Sequence, residues 1–481
     1  MHSGVSDGEQ QAQPVQVAKP ATVPECHAVI EALALEVGQL REQMAWLQER
    51  LKVDSRNSSK PPSSDGPGSG KRPQRRASQR KRGAQKGHPG AYRELLPDAE
   101  VDAVHDCAPA AVCECGGTVA VLGKPVRHQV FDIAPVQPEV REYRLYSGVC
   151  TQCGRAHRAP LPPGVPSGQI GPRALALIGV LGTRFHLTQF KIRDLLAQMM
   201  GLDFSVGAIS QAHGKVAAAL KAPVAEAAAR LVDASVLYVD ETRYPRTRYP
   251  REGSANWVWA AIQPKLAVFS ILPSRARYVI LDMIGATPQG VVVSDRYAAY
   301  AYIDAARRQV CWAHLIRDFT RIAQRAGLPG RIGRRLLGLG YVMLRWREDG
   351  KTTAEQFEPI MRRVRQALEH GAAQPCCSRT ANTCANLLKL WPALWGFITH
   401  PGVEPTNNAA EQALRGIVLK RKISGPTRSR RGDEFIARGF SVHESCRRQG
   451  LDLWSYLQRA VVAWIDKAPH PSLVPSAVPT G

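Results

Sequence analysis

Residues 236–242 read VLYVDET, and residues 291–295 read VVVSD. In each stretch a short, largely apolar run leads directly to an aspartate, Asp240 in the first and Asp295 in the second. Apolar runs of this length are typical of strands buried on both faces of a sheet. Ligands of open α/β sheets gather where such strands end. We therefore expect Asp240 and Asp295 to lie close together, although each alone is equally consistent with capping a turn.

The segments around these two strands predict the rest of a sheet. Trp257–Ile262 and Ala267–Leu272 have strand patterns and form a meander with the first strand. Ala276–Ile284 predicts a helix, and Gln309–Cys311 predicts a short strand before a helix that begins near Ala313. Three meander strands followed by βαβ units indicate one mixed sheet flanked by helices. The predicted fold class is therefore multidomain α/β.

A third acidic residue, Glu411, lies in residues 402–422, GVEPTNNAAEQALRGIVLKRK. This stretch predicts a helix on which Glu411 precedes Arg415. Two interpretations are open. Asn408 and Glu411 have the spacing of a capping box, with Asn408 as N-cap. Alternatively, Glu411 binds metal beside a phosphate held by the basic residues that follow it, Arg415, Lys420, Arg421 and Lys422.

Composition limits the class of protein. The chain has 481 residues, enough for about three domains. Its formal net charge of +23 favours a polyanionic partner, nucleic acid first and an anionic membrane surface second. It contains neither a long apolar span nor a signal-peptide pattern, and its eleven cysteines favour reduced thiols or a metal site over a disulfide framework. We expect a cytoplasmic protein without membrane association.

The first ninety-two residues predict three consecutive regions. Residues 1–25 are polar and indicate a disordered tail. Residues 26–53 carry a heptad pattern, with Ile30, Val37, Met44 and Leu51 at one position and Leu33, Leu40 and Leu47 at the other. This pattern favours a short coiled coil, and hence a homo-oligomer, over one helix packed on its own protein. Residues 54–92 form a linker rich in Pro, Gly, Ser and basic residues.

The linker is either a solvated spacer or a segment that contacts phosphate. Between residues 57 and 90 it carries nine Lys or Arg against one acid, Asp65. Contacts of such a segment with DNA depend on salt and little on sequence. The candidate DNA-binding residues are Lys71, Arg72, Arg75, Arg76, Arg80, Lys81 and Arg82.

Residues 93–166 contain two cysteine pairs, each followed by glycine. Strand-like segments at 130–133 and 140–146 lie between them. Paired thiolates on tight turns favour a structural Zn²⁺ site over free buried cysteines. The candidate ligands are Cys113, Cys115, Cys150 and Cys153. Cys107, His105 and His157 are alternatives for one of them, because the first pair has the less usual C-x-C spacing.

The remaining boundaries follow from helical and strand patterns. Residues 167–232 predict helices, read either as a helix-turn-helix-like DNA-binding domain or as a spacer. The core occupies 233–320 and 402–450, interrupted by a helical insertion at 321–401. A C-terminal helix and a Pro-rich tail occupy 451–481. Three carboxylates without an obvious nucleophile then indicate phosphoryl transfer with two Mg²⁺ ions, which prefer acidic oxygen ligands.

Motifs along nearly the whole chain resemble the insertion-sequence sixty-six family of DDE transposases. They include NSSKPPSSD at 57–65, GAQKGHPG at 83–90, DET at 240–242, and SDRYAAY at 294–300. The heptads, the cysteine pairs, CWAHLIRD at 311–318, and PTNNAAEQALRGIVLKRK at 405–422 belong to the same resemblance. The C-x-C first pair departs from the family's pattern.

The resemblance implies an RNase H-like core in which Asp240, Asp295 and Glu411 bind Mg²⁺ or Mn²⁺. It implies that His314 lies near the scissile phosphate, whereas the residue pattern alone is also consistent with a histidine packed at a helix start. Arg415 would orient Glu411 or contact phosphate. The implied function is a bacterial, nucleoid-associated transposase that binds terminal inverted repeats and joins them to target DNA. Small accessory proteins of the element are possible partners.

Two other functions compete with this prediction. A non-catalytic zinc-containing DNA-binding regulator, or a degenerate transposase copy, would keep the N-terminal modules without needing the three acids. A host RNase H-like nuclease would keep the acids without needing the N-terminal modules.

Overall fold

The computed structural model describes residue 22 and residues 93–246, 255–375 and 377–475. The predicted coiled coil (26–53) and basic linker (54–92) lie outside the described residues, and so does the predicted tail apart from residue 22. The chain forms two compact units. Of the described residues, one comprises those within 93–313, 352–354 and 389–475, and we call it the sheet unit. The other comprises those within 314–351 and 355–388, and we call it the helical unit.

The cysteine-containing segment of the sheet unit forms two small hairpins rather than one large one. β1 (Ser147–Val149) pairs antiparallel with β2 (Ala156–Arg158), and a single bridge joins Val112 to Thr118. The strand-like segments at 130–133 and 140–146 are not strands. Their prediction was wrong because apolar residues such as Val130 and Val140 are exposed here, 80% and 86%, and have no sheet to pack on.

The main sheet has the strand order β5-β4-β3-β6-β7. β4 is antiparallel to both β3 and β5, whereas β6 is parallel to β3 and β7 is parallel to β6. This arrangement confirms the predicted mixed sheet. The strands are β3 (Val236–Pro245), β4 (Ala255–Ile262), β5 (Ala267–Leu272), β6 (Val291–Ser294) and β7 (Arg308–Val310).

β3 is longer than its apolar run. Only Val236–Tyr238 pairs with β6, but pairing with β4 continues to Pro245. Asp240 therefore lies within β3, just beyond its parallel-paired part, and the prediction that the strand ends there was wrong. The antiparallel partner extends the strand past the point where the apolar pattern stops.

Some helices belong to the sheet unit, and others form the helical unit. The interval predicted to be helical before Glu411 is helical, and the predicted long helix ending near Leu231 is divided at Leu220. The helices before the sheet are α1 (Pro172–Thr183), α2 (Gln189–Met200), α3 (Val206–Ala219) and α4 (Lys221–Ala229). Those that follow are α5 (Arg277–Ile284), α6 (Trp312–Ala323), α7 (Gly327–Glu348), α8 (Ala354–Ala372), α9 (Ser378–Lys389), α10 (Trp391–Leu394), α11 (Gly396–Thr399), α12 (Asn408–Ser424), α13 (Arg430–Gln449) and α14 (Leu453–Asp466).

The helical unit has its own apolar core. Helices α7, α8 and α9 contribute side chains that are at most 1% exposed, including Leu336, Phe357, Leu368 and Leu387. A Cβ added at Gly371 of α8 would approach the Sγ atom of Cys384 of α9 to 2.5 Å. Glycine is therefore required at this contact between the two helices.

Helix α13 covers the outer edge of the sheet. Ser441 accepts a hydrogen bond from the N–H of Phe269 in β5 at 2.9 Å. Ser445 accepts from the N–H of Ala267 at 3.0 Å and donates to the carbonyl of the same residue at 3.2 Å. Unpaired backbone groups at a sheet edge invite pairing with other chains. The two serines of α13 pair these groups within the protein.

Candidate active site

The first two predicted acids lie on neighbouring parallel elements of the sheet. Asp240 belongs to β3, and Asp295 directly follows β6, the parallel neighbour of β3. The Oδ1 atom of Asp240 accepts the N–H of Glu241 at 3.0 Å. The Oδ1 atom of Asp295 accepts the N–H of Tyr297 at 2.9 Å. These backbone contacts fix the direction of both carboxylates.

Glu411 reaches the sheet on α12, which packs against β3 and β4. The predicted capping box was wrong, because the helix starts one residue earlier than that box requires. Its N-cap is Asn407, whose side chain makes no capping bond and donates instead to the carbonyl of Val239 at 2.7 Å. Glu411 follows one turn later, and its N–H donates to the carbonyl of Asn407 at 3.1 Å.

Two of the predicted acids act electrostatically on the third, Asp240. Desolvation raises the pKa of Asp240 well above its usual range, and the charges of Glu241, Asp295 and Glu411 raise it further. Asp295 and Glu411, 55 and 171 residues further along the chain, thus both lie within electrostatic range of Asp240. Clustered carboxylates repel one another unless a proton or a cation offsets their charge. Their hard oxygen donors fit Mg²⁺ or Mn²⁺.

Two sequence comparisons bear on what this cluster does. A family model described as "Transposase IS66 family" matches residues 167–434, which is more than half of the chain and includes all three acids. The chain belongs to the IS66 transposase family. A second model, "Family of unknown function (DUF6444)", matches residues 12–94. Membership supports a transposase function and implies use of divalent metal.

Similar proteins from Sinorhizobium fredii are themselves uncharacterized. "Uncharacterized protein y4hP" is 24% identical over 73% of this chain and 70% of its own length. "Uncharacterized protein y4jD" is 23% identical over 72% of this chain and 73% of its own length. "Uncharacterized protein y4jO" is 36% identical, but over only 15% of this chain and 23% of its own length. These likenesses identify neither a function nor a substrate.

One buried acid of this transposase was missed by sequence reasoning. Glu241 accepts hydrogen bonds from the Nε atom of Arg275 at 2.7 Å and from the hydroxyl of Tyr300. Burial raises the pKa of Glu241 and Asp295 adds to it, while the bonds from Tyr300 and Arg275 oppose the rise. Adjacent residues of a strand face opposite sides of a sheet. This alternation predicts that the side chain of Glu241 faces the opposite side of the sheet from that of Asp240, which could have identified Glu241 as a buried acid outside the predicted triad.

Arg308 is a second residue that sequence reasoning missed. It is 2% exposed, and its guanidinium donates to the Ser294 hydroxyl at 3.2 Å, the Asp295 carbonyl at 2.6 Å and the Tyr300 carbonyl at 3.2 Å. Burial lowers the pKa of Arg308 to about 10. One buried cation thus fastens the loop that carries Asp295.

The basic residues predicted to bind DNA on α12 are not equivalent. Lys420 is 6% exposed, and its Nζ atom donates to the carbonyl of Leu187 at 2.7 Å and to the hydroxyl of Ser424 at 2.9 Å. The structure therefore contradicts its assignment to DNA binding, because a buried ammonium satisfied by protein acceptors cannot contact phosphate. Arg421 is half-buried and donates to the carbonyl of Arg243, whereas Lys422 is exposed.

Arg415 and His314 were the other predicted catalytic residues. Arg415 is exposed on α12, one turn after Glu411. Its two predicted roles, orientation of Glu411 and contact with phosphate, stay predictions. His314 lies half-buried in the first turn of α6, three residues after Cys311. The candidate DNA-binding residues between 71 and 82 lie outside the described residues.

The four candidate zinc ligands form two pairs that are not assembled. Cys113 and Cys115 share one tight turn, and Cys150 and Cys153 share another. Hydrogen bonds from Cys115 lower the pKa of Cys113, and those from Cys153 and Gln152 lower that of Cys150. In the described part of the chain, no three of these sulfur atoms lie within 4.8 Å of one another. The structure provides two half-sites and leaves the ligand set a prediction.

The described residues include no helix both long and apolar enough to cross a membrane.

Proposed function

We propose that this IS66-family transposase cuts and joins DNA at a site built from Asp240, Asp295 and Glu411. The carrying observation is that the charges of Asp295 and Glu411 both raise the pKa of Asp240. Asp295, in the loop after β6, and Glu411, on α12, thus lie within electrostatic range of Asp240 on β3, which supports a shared cation site. Two divalent ions bound there would supply an activated water or 3′-hydroxyl and stabilisation of the leaving oxygen.

The other residues of the site have simpler tasks. Burial raises the pKa of Asp240, so a bound cation would stabilise its ionised carboxylate. Arg415, exposed beside Glu411, binds the phosphate that the acids would repel. The strand order, with β4 antiparallel and β6 and β7 parallel to β3, supports an RNase H-like core. His314 would lie near the scissile phosphate.

DNA recognition would rest largely on the segments before the core. The basic residues between 71 and 82 would hold the backbones of the terminal inverted repeats and the target, together with Arg421 and Lys422. The two cysteine pairs would bind one structural Zn²⁺ ion when brought together. The heptads at 26–53 would join protomers so that two element ends are held at once. Accessory proteins of the element are further proposed partners.

Single substitutions test the triad. Asp240→Asn, Asp295→Asn and Glu411→Gln should each retain binding to element-end DNA and lose Mg²⁺-dependent strand cleavage. Asp282→Asn, which changes an exposed acid on α5, is the matched control and should cleave normally. Full cleavage by any triad variant would remove that residue from the site. Binding of element ends by the wild-type protein with no nicking in Mg²⁺ would favour the non-catalytic regulator instead.

A further inference from the structure

Asn407 connects all three elements that carry the acids. It is 0% exposed, and its side-chain amide donates to the carbonyl of Val239, the residue before Asp240. Its own carbonyl accepts the N–H of Glu411 at 3.1 Å, which fixes the first turn of α12. One residue therefore links the backbone on each side of the gap between Asp240 and Glu411.

The third connection passes through Cys311. The backbone N–H of Asn407 donates to the Sγ atom of Cys311 at 3.1 Å. The N–H of Cys311 in turn donates to the carbonyl of Ser294 at 2.8 Å, and Ser294 directly precedes Asp295. The buried thiol of Cys311 thus relays the position of the second acid to Asn407. Any non-proline residue at 407 could make the two backbone bonds, but the bond to the carbonyl of Val239 needs the side-chain amide at this reach.

The buried position of Asn407 lowers stability. Its Oδ1 atom is buried and has no hydrogen-bond partner among the described residues. The amide cannot be turned around, because only its NH₂ group can donate to the carbonyl of Val239. A buried unpaired acceptor costs about 1–3 kcal/mol. A side chain selected for stability alone would not bury an unpaired oxygen. The hydrogen bond from the Asn407 amide to Val239 therefore indicates a role other than stability.

We propose that Asn407 is the positioning residue that sets the separation of the three acids. It touches neither DNA nor metal in this role and acts through Val239, Cys311 and the first turn of α12. The inference rests on the proposed function, because it presumes that Asp240, Asp295 and Glu411 share metal. Removing a partner that orients metal-binding groups typically weakens metal affinity about 10–100-fold.

The main test compares Asn407→Leu with Asn408→Leu in the full-length protein. Asn408 is the exposed neighbour at the first position of α12. Asn407→Leu should bind element-end DNA normally, bind Mn²⁺ at least about tenfold more weakly by titration, and need correspondingly more Mg²⁺ for half-maximal cleavage. Asn408→Leu should match the wild type in all three. Unchanged Mn²⁺ affinity in a folded Asn407→Leu protein would overturn the proposal.

A second pair of variants decides the matter if Asn407→Leu does not fold. Cys311→Ala removes the acceptor of the Asn407 N–H, whereas Cys311→Ser restores an acceptor. We expect weaker Mn²⁺ binding in the alanine variant and recovery in the serine variant, with similar melting temperatures. Equal Mn²⁺ affinities in the two would refute the relay. If the wild type itself neither binds Mn²⁺ nor cleaves, the proposed function fails first, which is a different result.

Discussion

Substitution of Lys420 should change the pH dependence of stability without changing DNA affinity. Its ammonium is buried on α12, and burial lowers its pKa from the ordinary 10.5 to about 8. Below pH 8 the folded and unfolded chains both bind the proton. Between pH 8 and 10.5 the unfolded chain binds it more tightly, so the free energy of unfolding rises with pH. Above pH 10.5 both are neutral and the rise stops.

The size of this effect follows from the two pKa values. One pH unit of difference corresponds to about 1.4 kcal/mol, so the full window is worth about 3 kcal/mol. From pH 7 to pH 10, Lys420 should add about 2.5 kcal/mol to the free energy of unfolding. Lys420→Met cannot titrate and lacks this increment. The quantity to follow is the difference between wild type and variant, because cysteines and tyrosines that titrate in the same window contribute to both.

Urea denaturation at pH 7, 8, 9 and 10 measures the difference. Lys422→Met is the matched control, since Lys422 is exposed on the same helix. Lys422→Met should follow the wild-type pH dependence and bind element-end DNA more weakly, with a salt slope smaller by about one. Lys420→Met should lose this part of the pH dependence of the unfolding free energy and should bind element-end DNA as the wild type does. Parallel pH curves for wild type and Lys420→Met, or a loss of DNA affinity equal to that of Lys422→Met, would refute the buried assignment.

Three further predictions concern neighbouring features. Arg308→Met should lower the free energy of unfolding by about 3 kcal/mol or more, because three buried acceptors lose their donor; a thermal melt equal to wild type would contradict this. Glu241→Gln removes a charge that raises the pKa of Asp240, so the acid limb of the cleavage pH profile should move to lower pH, and no shift would count against the coupling. Cys150→Ser should lower bound zinc by mass spectrometry; zinc-free wild-type protein would exclude the site.

The sheet was largely readable from the sequence, since its strands are apolar runs bounded by polar residues. The apolar pattern located β3, β5 and β6 to within a few residues. It missed the extension of β3 to Pro245, because that part is held by pairing with β4 rather than by its own apolar content. The strand predictions for 130–133 and 140–146 were wrong for the opposite reason. Their residues have strand propensity, but no neighbouring chain pairs with them.

The sequence suggested candidate residues where a local pattern marks them. It could not show roles that depend on burial or on distant contacts. Three acids at element ends suggested Asp240, Asp295 and Glu411. The role of Asn407 could not be found in this way, because its partners lie 96 and 168 residues away. Lys420 looked like part of a basic run, and only the packing of α12 against Leu187 shows that its charge is enclosed.

The serines that seal the edge of β5 arrive late during synthesis. Ser441 follows its partner Phe269 by 172 residues. At about 5–20 residues per second, a ribosome needs roughly 10–30 s to make that stretch. Throughout this interval the emerging chain carries an open sheet edge, which chaperones or another nascent chain could engage. A chain truncated before residue 441 would therefore leave the edge of β5 unpaired and prone to aggregation.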